Sequence, residues 1–184
     1  SFANIFYEMP SKKMNLIGIT GTKGKTTISY FIKTIIDISD RKAGLIGTNN
    51  NMIGNEVIAT KLTTPEAHVI NELMQNMVNA DCTDCIMEVS SHALELFRVA
   101  DLDFNVAVFS NITSDHLDFH STFESYLAAK KILFDQLTEN NIVIYNKDDS
   151  HYKDLLKDCK AKEVSYSINS IADLKIDNVN YSLD

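Results

Sequence analysis

The sequence has no tryptophan, two prolines, three cysteines and six glycines in 184 residues, and its 17 lysines and arginines are outnumbered by 25 aspartates and glutamates. Each shortage excludes something. A formal net charge of −8 argues against nonspecific binding to nucleic acid or anionic membranes, so an anionic ligand needs a local cluster of donors. No apolar run is long enough to cross a bilayer, and nothing at the N-terminus reads as a secretory signal. The odd, low cysteine count suits a reducing compartment, and a cytoplasmic protein is expected. Cys82 and Cys85 form a C-x-x-C pair, but zinc needs a second ligand pair that Cys159 alone does not provide. The pair reads as structural, with Cys85 opening a buried strand. What remains is ordinary globular composition, 45% hydrophobic and 23% charged, and long enough for one domain with a real core.

Residues 1–13 end in Met-Pro-Ser-Lys-Lys and read as a linker or the end of a preceding domain. Strand-like and helix-like segments then alternate. Leu16 to Thr20 is a short apolar run, and Lys25 to Ser39 follows with Ile28, Phe31, Ile32, Ile35 and Ile36 at helical spacing. Ala43 to Gly47 and Glu56 to Thr60 are expected strands around a turn at Asn49-Asn50-Asn51. Thr64-Pro65-Glu66 has the form of a helix start, with Thr64 as cap. Ile70, Leu73, Met74, Met77 and Val78 form the buried stripe of that helix. Cys85 to Val89 and Phe104 to Ser110 read as strands. Ser121-Thr-Phe-Glu124 matches a capping box and opens a helix to about Leu137. Ile142 to Tyr145, Lys162 to Ile168 and Leu174 to Val179 read as strands, and Ser150 to Lys157 as a short helix. Such alternation predicts an α/β fold, a mostly parallel sheet with helices on both faces.

In sheets of this kind ligands sit beyond the C-terminal strand ends. Four expected strands end in polar residues that can do chemistry: at Gly21 to Thr27, at Glu88 to His92, at Asn111 with Asp115-His116, and at Asn146 to Asp149. That convergence points to one composite site. Gly21-Thr22-Lys23-Gly24-Lys25-Thr26 lies between a strand and an amphipathic helix. Glycines there let backbone N–H groups approach phosphate oxygens, Lys25 can neutralise the outer phosphates, and the Thr26 hydroxyl can ligate Mg²⁺. The strict phosphate-loop pattern fails, because Ile19 stands where it wants its first glycine. Glu88 ends a buried strand, where a Mg²⁺-orienting or water-orienting acid belongs; an exposed strand-end carboxylate is the alternative. His116 and His120 have i, i+4 spacing, but Leu117 stands where a zinc protease needs glutamate. His116 is a candidate Mg²⁺ ligand and His120 a structural residue, while His68 and His151 read as surface residues. Lys130 falls on the same helix face as Tyr126, Leu133 and Phe134, with Lys131 pointing elsewhere. A buried lysine needs a counter-charge, a depressed pKa or a covalent modification, unless its ammonium snorkels to water.

Together these segments resemble the Mur ligase family, from Met14 onward. Gly18 to Thr27 is similar to that family's shortened phosphate loop, with Lys23 where Asn is common. Ser110 to His120 resembles its second hallmark, and Asn146-Lys-Asp-Asp149 its adenine-side segment. Within the family, Met87-Glu-Val-Ser-Ser-His-Ala-Leu94 with Arg98, and Thr63-Thr64-Pro65, resemble the branch that adds the third residue to a UDP-N-acetylmuramoyl dipeptide. Leu96 replaces that branch's usual glutamine.

The resemblance implies an ATP- and Mg²⁺-dependent peptide ligase of cell-wall synthesis with a central, nucleotide-binding P-loop NTPase-like domain. It assigns Gly21, Thr22, Lys23, Gly24, Lys25, Thr26, Thr27, Asn146 and Asp149 to ATP, with Lys25, His116 and Lys130 catalytic. Thr63, Thr64, Ser90 and Arg98 would contact the nucleotide sugar. Thr26 and Glu88 would hold one Mg²⁺, and His116 with a carbamylated Lys130 a second. It also implies that residues 14–184 are an incomplete central domain, with a uridine-holding domain and a C-terminal domain lying elsewhere. The expected partners are the UDP-N-acetylmuramoyl dipeptide and a diamino acid, lysine or diaminopimelate, with a monomer and no nucleic-acid or membrane partner. Two rival readings are a folylpolyglutamate-type ligase and a nucleotide-binding module without turnover.

Overall fold

The computed structural model describes residues 2–113, 115 and 117–176. Nine strands form one sheet in the order β4-β3-β2-β5-β1-β6-β7-β8-β9. They are β1 (Asn15–Thr20), β2 (Ala43–Ile46), β3 (Asn50–Ile53), β4 (Glu56–Ala59), β5 (Asp84–Glu88), β6 (Val106–Phe109), β7 (Ile142–Asn146), β8 (Lys162–Ser167) and β9 (Leu174–Lys175). All neighbours run parallel except the pairs that β3 makes with β2 and β4. The helices are α1 (Phe2–Phe6), α2 (Lys25–Asp37), α3 (Ala67–Asn79), α4 (Ser91–Glu95), α5 (Leu117–His120), α6 (Phe123–Asp135) and α7 (Tyr152–Leu155).

The central strands are apolar on both faces because each face is covered. On one face α2 packs Ile28, Ile32 and Ile36 against Ile19, Leu45, Ile86 and Val108. On the other, Ile70, Met74 and Met77 of α3 and Tyr126, Leu133 and Phe134 of α6 meet Leu16, Met87, Phe109 and Val143. The chain leaves β1 toward β2, then returns to place β6 on the other side of β1. The loop after β1 therefore opens at the point where strand order reverses.

The differences from the sequence reading have local causes. Residues Asn50 and Asn51 begin β3, and the hairpin turns at Gly54-Asn55 instead, where Gly54 takes φ 57°. Thr64 does not cap α3, whose preceding residue, Glu66, makes no side-chain cap. Phe31 and Ile35 lie outside the i, i+4 line that meets the sheet and are 65% and 61% exposed. The capping box belongs to Thr122 and Ser125, one residue later than expected. The expected linker holds α1 and a 3₁₀ turn at Pro10–Lys13, tied down by Asn4 Nδ2 donating to the Asp101 carbonyl at 2.9 Å. Residues 177–179 of the last expected strand fall outside the described residues, and β9 is Leu174–Lys175.

Candidate active site

Thr20 ends β1 fully buried, and the chain turns through Gly21 at φ 152°, where an added Cβ would collide with Ser110 Oγ and stand 3.0 Å from the Asn111 carbonyl. Only glycine allows the loop to lie so close to the end of β6. The segment after β6 clamps the loop from one side. Ser110 Oγ and Asn111 Nδ2 donate to the Lys23 carbonyl at 2.8 and 3.0 Å, Thr22 N donates to the Asn111 carbonyl at 2.8 Å, and Lys23 N to Asn111 Oδ1 at 3.0 Å. Gly24 precedes α2 without a side-chain cap. The first-turn N–H groups, which belong to Lys25, Thr26 and Thr27, therefore face the loop as anion donors, with the helix dipole behind them. Lys25 Nζ bends back across the loop to the Gly21 and Thr22 carbonyls, at 2.8 and 3.2 Å. Burial lowers its pKa, against the opposing pull of Glu88 and Asp115.

Glu88, at the end of β5, is fully buried and held by three neutral donors. Thr26 Oγ1 and Thr48 Oγ1 each lie 2.9 Å from Oε2, and Thr48 N donates to Oε1 at 3.0 Å. The alternative of an exposed strand-end carboxylate is thereby excluded. Burying a carboxylate on hydroxyl and amide donors is costly, and such groups concentrate at functional sites.

A second hollow, of about 270 Å³, opens beside this carboxylate and is lined by Leu62, Thr63, Thr64, Ser90, His92 and Arg98. The Thr64 hydroxyl donates to the Glu88 carbonyl at 2.8 Å and accepts from Ser90 N at 3.0 Å, which explains why it is not free to cap α3. Ser90 caps α4 through Ala93 N. Arg98 Nη1 donates to the Thr64 carbonyl at 3.0 Å, and Nη2 pairs with Glu66 at 2.7 Å. Its buried Nε makes no hydrogen bond with a described residue. A larger cavity, of about 560 Å³, opens at the opposite end of the sheet around Lys12, Asn15 and Asn105; it is remote from these groups and carries no converging chemistry.

Lys130 is 1% exposed, as its helical phase predicts, and Lys131 turns outward to Asp135. The Lys130 ammonium does not reach water. It donates to the Gly21 carbonyl at 3.2 Å and sits 4.5 Å from the centre of the Tyr126 ring. Burial first, and then the nearby charge of Lys25, push its pKa down to about 7, with Asp115 opposing. Tyr126 Oη meets Thr22 Oγ1 at 3.1 Å. His120 is buried against Ser91 Oγ at 2.8 Å. His116 lies outside the described residues. His151 is half-buried rather than a plain surface residue, bonded through Nδ1 to Asp149 at 3.1 Å. Asn146 ends β7 and Asp149 follows it, and their polar atoms are engaged. Asn146 Nδ2 donates to the Ser110 carbonyl at 3.0 Å, and Asp149 Oδ2 accepts from Ile112 N at 2.7 Å. Cys82, Cys85 and Cys159 carry no disulfide, and burial pushes the pKa of each thiol up.

Thr48 and Tyr126 are the polar contributors that the sequence reading did not single out. Thr48 carried one usable signal, since it follows the apolar run Ala43 to Gly47 at the same end of the sheet as Glu88.

The sequence profile of the Mur ligase middle domain matches residues 19–184. The chain belongs to the Mur ligase family. It is 43% identical over 173 residues to the UDP-N-acetylmuramoyl-L-alanyl-D-glutamate–2,6-diaminopimelate ligase of Cytophaga hutchinsonii, covering 94% of this chain and 36% of that protein. It is 45% identical over 174 residues to the corresponding ligase 1 of Clostridium acetobutylicum, covering 95% of this chain and 36% of that protein. A solved structure of a ligase of the same name superposes with a TM-score of 0.84 at 29% identity, covering 98% of this chain and 39% of the other. The chain thus spans little more than a third of the length of the relatives it matches.

Proposed function

We propose that this Mur ligase chain is the nucleotide-binding part of an enzyme that joins a diamino acid to UDP-N-acetylmuramoyl-L-alanyl-D-glutamate. The names of its relatives favour diaminopimelate. The observation that carries the reading is the position of Glu88. Its side chain meets Thr26 at the phosphate loop, and its own carbonyl meets Thr64 in the wall of the Arg98 hollow. An enzyme that phosphorylates a carboxylate with ATP has to bring those two half-sites together, with positioned charge between them. Relatives at this identity share the dipeptide-ligase name, which favours this reading over a folylpolyglutamate-type enzyme.

The chemistry proceeds in two steps. A carboxylate oxygen of the D-glutamyl side chain attacks the terminal phosphorus of ATP, and ADP leaves. The amine of the diamino acid then attacks the acyl carbon, losing a proton as inorganic phosphate departs. The α2 N-terminus and the loop N–H groups bind the phosphates. Lys25 releases the Gly21 and Thr22 carbonyls and turns its ammonium onto the transferring group. Thr63, Thr64, Ser90 and Arg98 orient the nucleotide sugar. Asn146 and Asp149 form the nucleoside side by bracing the 110–113 segment.

The donor set fits Mg²⁺. Hard oxygens of Thr26 and Glu88 converge, and Mg²⁺ takes few protein ligands, filling its shell with water and phosphate. Among the described residues no larger His, Cys, Asp and Glu cluster suits a transition metal. Bound there, the ion would offset phosphate charge. Lys130 suits carbamylation, because an amine with a pKa near 7 is partly the free base that adds CO₂ and loses a proton. The part assigned to His116 rests on the sequence. Use of ATP and a nucleotide-sugar substrate supports a cytoplasmic reaction.

Incubating the full-length protein with UDP-dipeptide, diaminopimelate and MgATP tests this by mass spectrometry. One tripeptide product with equimolar ADP is expected, and omission of any substrate should abolish it. ADP release without tripeptide would refute the reading.

A further inference from the structure

We infer that Thr48 is a positioning residue that fixes the Glu88 carboxylate for a divalent cation and connects it to the substrate hollow through Thr63. This rests on the reading of Glu88 given above. Register places Ile46 beside Met87, so the residues after β2 lie against Glu88. A Cβ on Gly47 would run into Glu88 Oε1, and glycine lets the backbone close onto the carboxylate. Thr48 then contacts both of its oxygens, Oε1 through the backbone N–H at 3.0 Å and Oε2 through the hydroxyl at 2.9 Å.

A hydroxyl has one proton. Thr48 Oγ1 lies in donor geometry both to Glu88 Oε2 and, at 3.1 Å, to Thr63 Oγ1, so the two acceptors share that proton. Thr48 therefore touches both the wall of the hollow, through Thr63, and the cation-facing acid. Thr26 also directs its hydroxyl at Oε2, but a cation at this point would take the Thr26 oxygen lone pair and turn that proton away. Thr48 would then be the side-chain donor left, among the described residues, to hold Glu88 against rotation. A hydrogen bond to a charged acceptor is one of the stronger kinds, and its loss in a buried site affects the geometry of the group it held.

Mn²⁺ binding followed by electron paramagnetic resonance, in the full-length protein with β,γ-methylene ATP and no nucleotide sugar, tests the inference. Thr48→Val keeps the backbone donor and should weaken Mn²⁺ binding roughly tenfold, whereas Thr48→Ser should restore it to within about twofold. Thr63→Val should change Mn²⁺ binding less than Thr48→Val does and add nothing to it, because its effect passes through Thr48. Wild-type Mn²⁺ affinity in Thr48→Val, equal losses in the Val and Ser variants, or additivity in the double variant would each overturn the inference. Glu88→Gln separates the two levels: unchanged Mn²⁺ affinity there would remove the cation role of Glu88 itself. Nucleotide affinity without metal, unchanged in Thr48→Val, checks that the fold survives.

Discussion

Replacing Lys130 with methionine should make the chain more stable at neutral pH and remove a pH dependence that the native protein shows. The ammonium is enclosed, with one carbonyl and one aromatic face as its partners among the described residues. Its pKa falls from the ordinary 10.5 to about 7, and each tenfold loss of proton affinity corresponds to about 1.4 kcal/mol. Holding the charged form in the fold therefore costs about 5 kcal/mol relative to the unfolded chain. The sign follows from proton counting. Between about pH 7 and pH 10 the unfolded chain holds a proton on this lysine that the folded chain has lost, so stability rises with pH. Below that window both states are protonated and above it neither is, so the contribution is flat. From pH 7 to pH 9 the gain from this one group is about 2 kcal/mol. Urea unfolding of the wild type and Lys130→Met at both pH values measures it, the variant cancelling every other titrating group. The wild type should gain about 2 kcal/mol on the variant. Parallel behaviour would mean that the amine is solvated or paired in a way the geometry does not show, and the case for a neutral amine ready for CO₂ would fall with it.

Lys25→Ala should abolish ATP-dependent turnover in the full-length enzyme while leaving the melting temperature within about 2 °C, because the half-buried start of α2 loses a phosphate counter-charge and two loop hydrogen bonds but no core contact; near-normal turnover would remove the phosphate role. Arg98→Ala should raise the KM for the UDP-dipeptide about tenfold or more with little change in that for ATP. Equal changes in both would show that Arg98 works by bracing Thr64. Gly21→Ala should destabilise the chain by about 1–3 kcal/mol and weaken nucleotide binding, since φ 152° and Ser110 Oγ leave no room for a methyl group; equilibrium unfolding and ADP titration read the two effects. Lys131→Ala, on the outward side of α6, should keep wild-type activity where Lys130→Ala loses it, and acetate added to the Lys130→Ala enzyme should restore part of the rate. Equal losses in the two variants would contradict the helical phase.

What the sequence made legible follows from the range of the interactions. Parallel strands buried on both faces leave short apolar runs, and the helix after the loop announces itself by Ile28, Ile32 and Ile36. The phase of Lys130 depends only on residues within one turn of it, so its place on the inward face could be read directly, while phase alone left open whether its ammonium snorkels to water. The same local rule fails at Phe31 and Ile35, because a periodic stripe says which residues share a face and not how wide a strip the sheet covers. Thr64 illustrates the opposite failure. Its position before Pro65 has the form of a cap, but its hydroxyl is taken by Glu88 and Ser90, 24 and 26 residues away. The contacts that shape the candidate site are of this second kind. Thr48 reaches Glu88 across 40 residues, and Lys130 reaches Gly21 across 109. Both contacts exist because β5 inserts between β1 and β2 while β6 crosses to the far side of β1. Alternating strands and helices predict a parallel sheet without fixing that order. A polar residue at a strand end can therefore be recognised as a candidate from sequence, while its partner becomes apparent only when the strand order is known. That is why Glu88 was legible and the threonine that holds it was not.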